Sequence, residues 1–339
     1  MRPTPVRVVS GIQPTGNLHL GNYLGAIKQW VAMQDAMVPG EDALFFLADL
    51  HALTVAIDPR ELYSNTIEMA ATLLAAGIDP DRAILFNQAR VREHSELSWI
   101  LSGTARTGWL NRMTQWKDKA GKNREGASVG LYTYPVLQAA DVLLYKATHV
   151  PVGDDQKQHL ELARDIAAKF NQDFGVDLFP LPEPLISAAA PRIMSLRDGS
   201  AKMSKSDPAD ASRINLIDSD DTIVQKLKKA KSDGDLLPET FAELMERPEA
   251  KNLVTIYAAL ADASPDAVVA EFAGKGFGVF KPALADLTVA KLGPIRDRLT
   301  GLLDDRGAVD DALAKGAARA TALAAPTLAD VQKAVGLHV

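Results

Sequence analysis

The sequence predicts an α/β fold: a parallel sheet covered by helices, followed by an all-helical C-terminal domain. Two observations carry this. In the first part of the chain, short β-branched or apolar runs alternate with helical repeats, the pattern of strand–helix–strand crossover units. From about residue 210 the strand signals stop, and repeats rich in alanine and leucine take over. The length of 339 residues is enough for about two domains.

The elements follow in chain order. Val6–Val9 is a β-branched run ending near Gly11, which predicts a buried strand. Leu20, Leu24, Ile27 and Val31 then repeat at helical spacing. Leu44–Leu47 predicts a second strand. Glu61–Ala76 reads as a helix between the Asp58-Pro59 turn and Gly77, and Ala83–Phe86 as a third strand. Sheets built this way bind ligands at the carboxyl ends of their strands. Residues 94–170 read as mainly helical, with a capping-box-like start at Asp155 and Gln158 before a run to Phe170. The stretch from Pro180 to about Pro208, with its prolines, serines and glycines, reads as loop. In the helical part, Leu292, Ile295, Leu299 and Leu302 share one face, and Leu313, Ala317, Ala320 and Ala324 another.

Composition narrows the function classes. Hydrophobic residues make up 47% and charged residues 24%, enough apolar surface to exclude disorder as the main state. The absence of cysteine excludes disulfides, thiolate zinc sites, iron–sulfur clusters and a cysteine nucleophile. No apolar run approaches the roughly 18 to 20 residues that cross a bilayer, since Asp49 and His51 break Leu44–Ile57. No apolar segment of the signal-peptide kind follows Met1. These features predict a soluble, cytoplasmic protein without membrane contact. The net charge of −6 is unlike that of a bulk nucleic-acid binder. Two local basic runs stand out: Arg112, Lys117, Lys119, Lys122 and Arg124, and Lys226, Lys228, Lys229 and Lys231. Each also reads as a solvated face.

Two loops carry candidate chemistry. After the first strand, Gly11, Gly16 and Gly21 allow sharp turns and close approach to a ligand, and a helix starting near His19 offers free N–H groups to an anion. The Gly16 to Gly21 spacing imitates a phosphate-binding P-loop, but Asn22-Tyr23 replaces the required Lys-Ser/Thr. Farther on, Lys202-Met203-Ser204-Lys205-Ser206 puts two cations and two hydroxyls in one loop, a mobile clamp for phosphate.

Together the two loops resemble a known family. His19-Leu20-Gly21-Asn22 is similar to the HIGH motif, and Lys202–Ser206 reads KMSKS, both of class I aminoacyl-tRNA synthetases. Within that class the chain resembles the bacterial tryptophanyl-tRNA synthetases. The resemblance rests on Gly-Ile-Gln-Pro-Thr-Gly at 11–16, Gly-Asn-Tyr at 21–23, Met-Thr-Gln-Trp-Lys at 113–117, Ala-Ala-Asp at 139–141, Val-Gly-Asp-Asp-Gln-Lys-Gln-His at 152–159 and Arg-Ile-Met-Ser-Leu at 192–196. It runs from about residue 6 to 208 and weakly through 274–280.

The resemblance implies a Rossmann-like catalytic domain over 1–209, with a helical insertion at about 94–190 for substrate binding and a homodimer interface. It implies a helical anticodon-recognition domain over 210–339. The implied reaction is activation of L-tryptophan by ATP, with Mg2+, to tryptophanyl-adenylate and pyrophosphate, then transfer to tRNA(Trp). Gln13, Pro14, Thr15, Gly21, Asn22, Ile193 and the Lys202, Met203, Ser204, Lys205 and Ser206 loop would line the ATP site. Gly153, Asp154 and Asp155 would hold the ribose hydroxyls. Lys202, Lys205 and Lys117 would meet the phosphates, with Thr15 and Asn22 as donors. No nucleophilic side chain is needed, because the substrate carboxylate attacks the α-phosphate. The sequence shows no dedicated metal cage, which suits magnesium held mainly by phosphates and water.

Tryptophan selection falls on Tyr132–Tyr145, where Tyr134, Gln138, Asp141 and Tyr145 are spaced to share one helix face. By resemblance Asp141 accepts the indole N–H, a donor-only group. Val150 and Val152 would wall the pocket, and Gln156 and His51 would line it. Two positions depart from the commonest family pattern: Gln138 stands where methionine is usual, and Leu50 where glutamine is usual.

Other matches lack their context. Gly126-Ala127-Ser128-Val129-Gly130 fits the hydrolase nucleophile pattern but follows a polar loop instead of a strand. The histidines show no pair at helical zinc-ligand spacing. Gly274, Gly276 and Gly278 follow no strand. The alternatives are a tyrosyl-tRNA synthetase, a silent paralogue that binds tryptophan or tRNA, and a small adenylyltransferase. The Gly-Asn-Tyr and Gly-Asp-Asp-Gln-Lys-Gln-His strings argue against the first. The intact Thr15, Gly21, Lys202 and Lys205 argue against the second, and the KMSKS loop with the helical domain against the third.

Overall fold

The computed structural model describes residues 6–55, 57–121, 125–151, 153, 156–185 and 191–337. Its strands are β1 Arg7–Ile12, β2 Asp42–Leu47, β3 Ile84–Asn87, β4 His149–Pro151 and β5 Glu183–Leu185. They form one sheet in the order β3-β2-β1-β4-β5, and every pairing is parallel. The longer helices are α1 Lys28–Ala36, α2 Pro59–Ala76, α3 Glu93–Ser102, α4 Val129–Leu143, α5 Lys157–Phe174, α6 Asp220–Lys229, α7 Pro248–Ala261, α8 Pro265–Phe272, α9 Phe277–Asp304 and α10 Arg306–Ala334. β2 and β3 build outward on one side of β1, and β4 and β5 on the other. That reversal opens a crevice at the carboxyl ends of β1 and β4, the place where such sheets take ligands.

The three strands expected from sequence are the inner and first-side strands of this sheet. β4 and β5 lie in segments that read as helix and as loop. Each has three residues, one of them proline, too short to show an alternating pattern. They become strands by pairing: β4 docks on Val8 of β1, and β5 extends β4. The stretch 94–190 therefore supplies two strands of the central sheet as well as its helices.

Local signals explain most helix ends. The Asp58 side chain caps α2 by accepting from the Arg60 N–H, Pro59 opens the helix, and Gly77 closes it at φ +120°. The helix after the first glycine loop is compound: Leu20–Asn22, a π turn at Tyr23–Ile27, then α1. The wider π turn rotates α1 about the helix axis, so Trp30 is buried and stacks on Phe45 at 4.6 Å while Val31 is only half-buried. The capping-box start of α5 is corrected. The helix begins at Lys157 with no side-chain cap, and Asp155 lies outside the described residues. Gln158 instead ties down the short helix Thr114–Ala120, accepting from the Thr114 N–H and donating to the Arg112 carbonyl.

The C-terminal helices lie directly on the sheet unit. α9 packs on α2 and α6, and α10 runs along the edge strand β3. Leu292, Ile295, Leu299, Leu313, Ala317, Ala320 and Ala324 are all buried, as their spacing predicts, with Leu302 half-buried. Small residues let α10 approach closely: a Cβ on Gly316 would stand 1.7 Å from the Leu85 carbonyl oxygen. Arg319 donates to the carbonyls of Pro80 and Ala83 at 2.7 and 2.9 Å. One apolar cluster joins Leu18, Ile67 and Ile193 to Leu253, Leu284 and Leu292, so the core is continuous across residue 210. Among the described residues, no single helix is long and apolar enough to cross a membrane.

Candidate active site

A cleft of about 390 Å³ opens at the β1–β4 reversal. Its floor is the end of β1, from Val9 to Gln13, and its walls come from β4, α4 and the Asp49–Ala52 turn. Gly11 is required there, because a Cβ would fall 2.4 to 2.9 Å from the Phe46 ring that packs over it.

Asp141 projects from α4 into this cleft with 1% exposure. Its Oδ1 accepts from Gln88 Nε2 at 2.5 Å and from His94 Nδ1 at 2.7 Å, and its Oδ2 accepts from His51 Nε2 at 2.7 Å. His94 in turn accepts at Nε2 from the Tyr145 hydroxyl at 2.7 Å, which fixes its tautomer. Burial alone would push the Asp141 carboxyl up. The facing His51 and His94 outweigh it and hold the group down at about 2, so the carboxylate stays ionised. Burial, with Asp141 and Glu93 nearby, pushes the Tyr145 hydroxyl up, which keeps it a donor. An ionised carboxylate offers about four lone pairs. Oδ1 uses both of its own, and Oδ2 uses one. Among the described residues, one acceptor position, on Oδ2, is left over.

Further polar groups share the wall with the apolar Val9, Ile12, Phe46, Val142 and Val150. The Tyr134 hydroxyl donates to Gln115 Oε1 at 2.6 Å and accepts from His159 Nε2 at 2.7 Å, and burial raises its pKa to about 12. Gln138 Nε2 donates to Gln156 Oε1 at 3.1 Å, bridging α4 to the turn before α5. The departure at Gln138 thus places an amide pair in the wall. Leu50 is half-buried and does not line the cleft.

The two signature loops meet beside this cleft. His19 is 5% exposed at the start of its helix, and its N–H donates to Asn22 Oδ1 at 3.1 Å. Met203 is 2% exposed and covers Gly21, whose position for a Cβ lies 3.6 Å from the Met203 Cβ and 3.1 Å from the His19 ring. The Met203 N–H donates to the Ile193 carbonyl at 3.1 Å. Lys202 and Lys205 are exposed, and the Ser206 N–H donates to Ser204 Oγ at 3.2 Å. Burial lowers the His19 pKa to about 4, helped by the charges of Arg213, Lys202 and Lys205. His19 is therefore neutral at pH 7 within reach of both signature lysines.

Gln13, assigned to the nucleotide by resemblance, and His51, Tyr134, Gln138, Asp141, Val150 and Gln156, assigned to the amino acid, all line this cleft. Gly21, Ile193 and Met203 converge on one another where the signature loops meet. Pro14 is buried and Thr15 half-buried in the loop between, while the Gly153 carbonyl accepts from the Gln156 N–H. Tyr145 does not share the helix face with the other three, because α4 ends at Leu143 and Tyr145 joins the site through His94. Lys117 is exposed and not among the cleft residues, whereas Gln115 of the same short helix is. Val152, Asp154, Asp155, Lys122 and Arg124 lie outside the described residues, as does the side chain of Lys119. The Ser128 of the hydrolase-like string caps α4, accepting from the Leu131 N–H. Sequence reasoning missed Gln88 and His94, both fully buried. The available signal was position: Gln88 follows β3 directly and His94 opens the helix after it, beyond a carboxyl end of the sheet.

The chain is similar to known proteins over nearly its whole length. Residues 1–293 match the family described as tRNA synthetases class I (W and Y). The tryptophan–tRNA ligase of Caulobacter vibrioides is 60% identical over 333 residues, covering 98% of this chain and 96% of that one. A crystal structure of tryptophanyl-tRNA synthetase from Campylobacter jejuni, complexed with ADP and tryptophan, is 34% identical with a TM-score of 0.81, covering 98% and 100%. The enzyme from Mycoplasma pneumoniae is 36% identical with a TM-score of 0.84, covering 98% of each chain.

Proposed function

The chain belongs to the class I tRNA synthetases specific for tryptophan and tyrosine, and we propose that it activates L-tryptophan with ATP and transfers it to tRNA(Trp). The observation that carries the choice of amino acid is the spare acceptor on Asp141 Oδ2. Indole N–H can only donate. A buried, ionised acceptor held by three donors cannot turn away or become a donor itself. A phenyl side chain would leave it unpaired, at a cost of about 1–3 kcal/mol or more.

In the first step the tryptophan carboxylate attacks the α-phosphorus of ATP and pyrophosphate leaves. In the second, a terminal hydroxyl of tRNA attacks the adenylate carbonyl and AMP leaves. Neither step needs a nucleophilic side chain. We assign the nucleotide to the crevice between Gln13, Pro14, Thr15, Gly21 and Asn22 and the loop Lys202–Ser206. Lys202 and Lys205 meet the charge that grows on the leaving pyrophosphate, with Lys117 approaching from the short helix. Asp154, Asp155 and Gly153 hold the ribose. Magnesium enters with ATP, bound mainly by phosphate oxygens and water. The cleft at Asp141 takes the indole, and Tyr134, Gln138, His51, Val150 and Gln156 shape it. The helical part from 210 onward reads the anticodon. The acting species is a homodimer working in the cytoplasm; the apolar side chains exposed at Trp99 (80%) and Val129 (77%) of the 94–190 stretch support the dimer contact.

The test is exchange of labelled pyrophosphate into ATP with each of the twenty amino acids in turn. Exchange with tryptophan alone is expected. Exchange with tyrosine would refute the reading of the Asp141 pocket, and no exchange with any amino acid would refute the activity.

A further inference from the structure

The loop bearing Lys202 and Lys205 is the second arm of a small antiparallel hairpin. The Ser195 N–H donates to the Ala201 carbonyl at 2.8 Å, and the Met203 N–H to the Ile193 carbonyl at 3.1 Å, with Met194 opposite Lys202. In such a pair the intervening residue turns its polar groups outward. Met194 does so, and Asn252 on α7 takes both of them. The Met194 N–H donates to Asn252 Oδ1 at 2.8 Å, and Asn252 Nδ2 donates to the carbonyls of Met194 and Ser195 at 2.9 and 3.3 Å. Asn252 is 3% exposed. One buried side chain thus stands in for a neighbouring strand along the hairpin's outer edge.

The hairpin tip rests on the same helix. A Cβ on Gly199 would stand 2.4 to 2.6 Å from the backbone of Pro248 and Glu249, so only glycine allows the seat. Glu249 also pairs with Lys231 at 2.6 Å, and the Lys231 N–H donates to the Leu196 carbonyl at 2.7 Å. At the far end of α7, Lys28 donates to the Ala259 carbonyl at 2.6 Å and to Asp262 at 2.5 Å. Lys28 lies just beyond the π turn that follows His19–Asn22. α7 is therefore a strut between the two signature loops, seated on one and tied to the helix of the other.

We propose that Asn252 is a positioning residue for amino-acid activation: it fastens the hairpin to α7 and so sets where Lys202 and Lys205 stand relative to His19–Asn22. Asn252 touches no substrate. Its effect runs through the placement of two cations whose value in the transition state depends on distance. Losing the fastening leaves the indole cleft untouched, because that cleft draws on β1, β4 and α4 and not on α7. The role rests on the activation reaction proposed above.

The experiment compares the full-length wild-type chain with Asn252→Leu and Gly199→Ala, which disturb the hairpin's edge and its tip separately. Gly199→Ala carries the test even where Asn252→Leu fails to fold. The readouts are kcat and KM for tryptophan and ATP in pyrophosphate exchange, tryptophan affinity by equilibrium dialysis, and the rate of trypsin cleavage at Lys202 and Lys205. We expect kcat to fall about 100-fold, the scale of a roughly 1 Å misplacement. Tryptophan affinity stays at the wild-type value, and trypsin cleaves the freed hairpin faster. Folded variants with wild-type kcat and wild-type cleavage overturn the proposal. So does a loss of tryptophan affinity in step with kcat, the mark of general loosening. A wild-type chain that exchanges with no amino acid overturns the proposed reaction instead, which separates the two failures.

Discussion

Replacing Asp141 with asparagine tests the pocket with little change in shape. The carboxylate accepts twice on Oδ1, from Gln88 and His94, and once on Oδ2, from His51. An asparagine has one oxygen and one NH2. Turning the NH2 toward Gln88 and His94 would set it against two donors. Turning it toward His51 sets it against one ring nitrogen that can change tautomer and accept. The second arrangement wins, so the NH2 occupies the position of Oδ2, where the proposed reading places the indole N–H of tryptophan. A hydrogen bond to a charged acceptor is worth about 1.5–3 kcal/mol, and here a donor also replaces it. The loss in kcat/KM for tryptophan is then about 2–3 kcal/mol, a factor of roughly 30 to 150. The assay is pyrophosphate exchange with tryptophan and with β-(3-benzothienyl)alanine, an isostere with sulfur in place of N–H. The Asp141→Asn variant should lose tryptophan and keep the analogue, so the discrimination ratio collapses while KM for ATP holds. An unchanged ratio would show that Asp141 does not read the indole nitrogen.

The same geometry sets three further outcomes. Lys202→Ala or Lys205→Ala should slow single-turnover activation by about 100- to 1,000-fold with little change in tryptophan binding; unchanged activation would remove either lysine from the phosphate site. His19, held down to about 4 by burial and by Arg213, Lys202 and Lys205, should stay neutral by NMR titration until well below its ordinary range. Because the unfolded chain binds this proton first, its contribution to stability is complete above about pH 6.5 and is lost as pH falls toward 4, so a titration midpoint near 6.5 would refute the buried setting. Gly316→Ala should cost about 1–3 kcal/mol in urea unfolding, since its Cβ would meet the Leu85 carbonyl at 1.7 Å; wild-type stability would mean that α10 does not close on β3.

The parts legible in the sequence are those whose cause is local. β1, β2, β3 and α2 announce themselves through short apolar runs (β-branched in β1), an Asp-Pro start and a glycine stop, because the residues that form them also delimit them. The faces of α9 and α10 were legible because burial repeats every turn. β4 and β5 were not: with three residues each they carry no period, and only the neighbouring strand makes them strands. The same division runs through the site. Asp141, Tyr134 and Gln138 lie on one helix and share a stripe that spacing reveals. Gln88 and His94, which hold Asp141 in its charged form, come from beyond β3 and meet it only in three dimensions. A carboxylate in an apolar helix reads as a recognition residue only through the family resemblance and the donor-only chemistry of indole. What makes it work is the ring of donors that keeps it ionised despite burial, and that ring is assembled by the order of strands in the sheet, which no window of sequence contains. Asn252 obeys the same rule: it is inconspicuous among the helical repeats of α7, and its function lies in the backbone it meets 58 residues away.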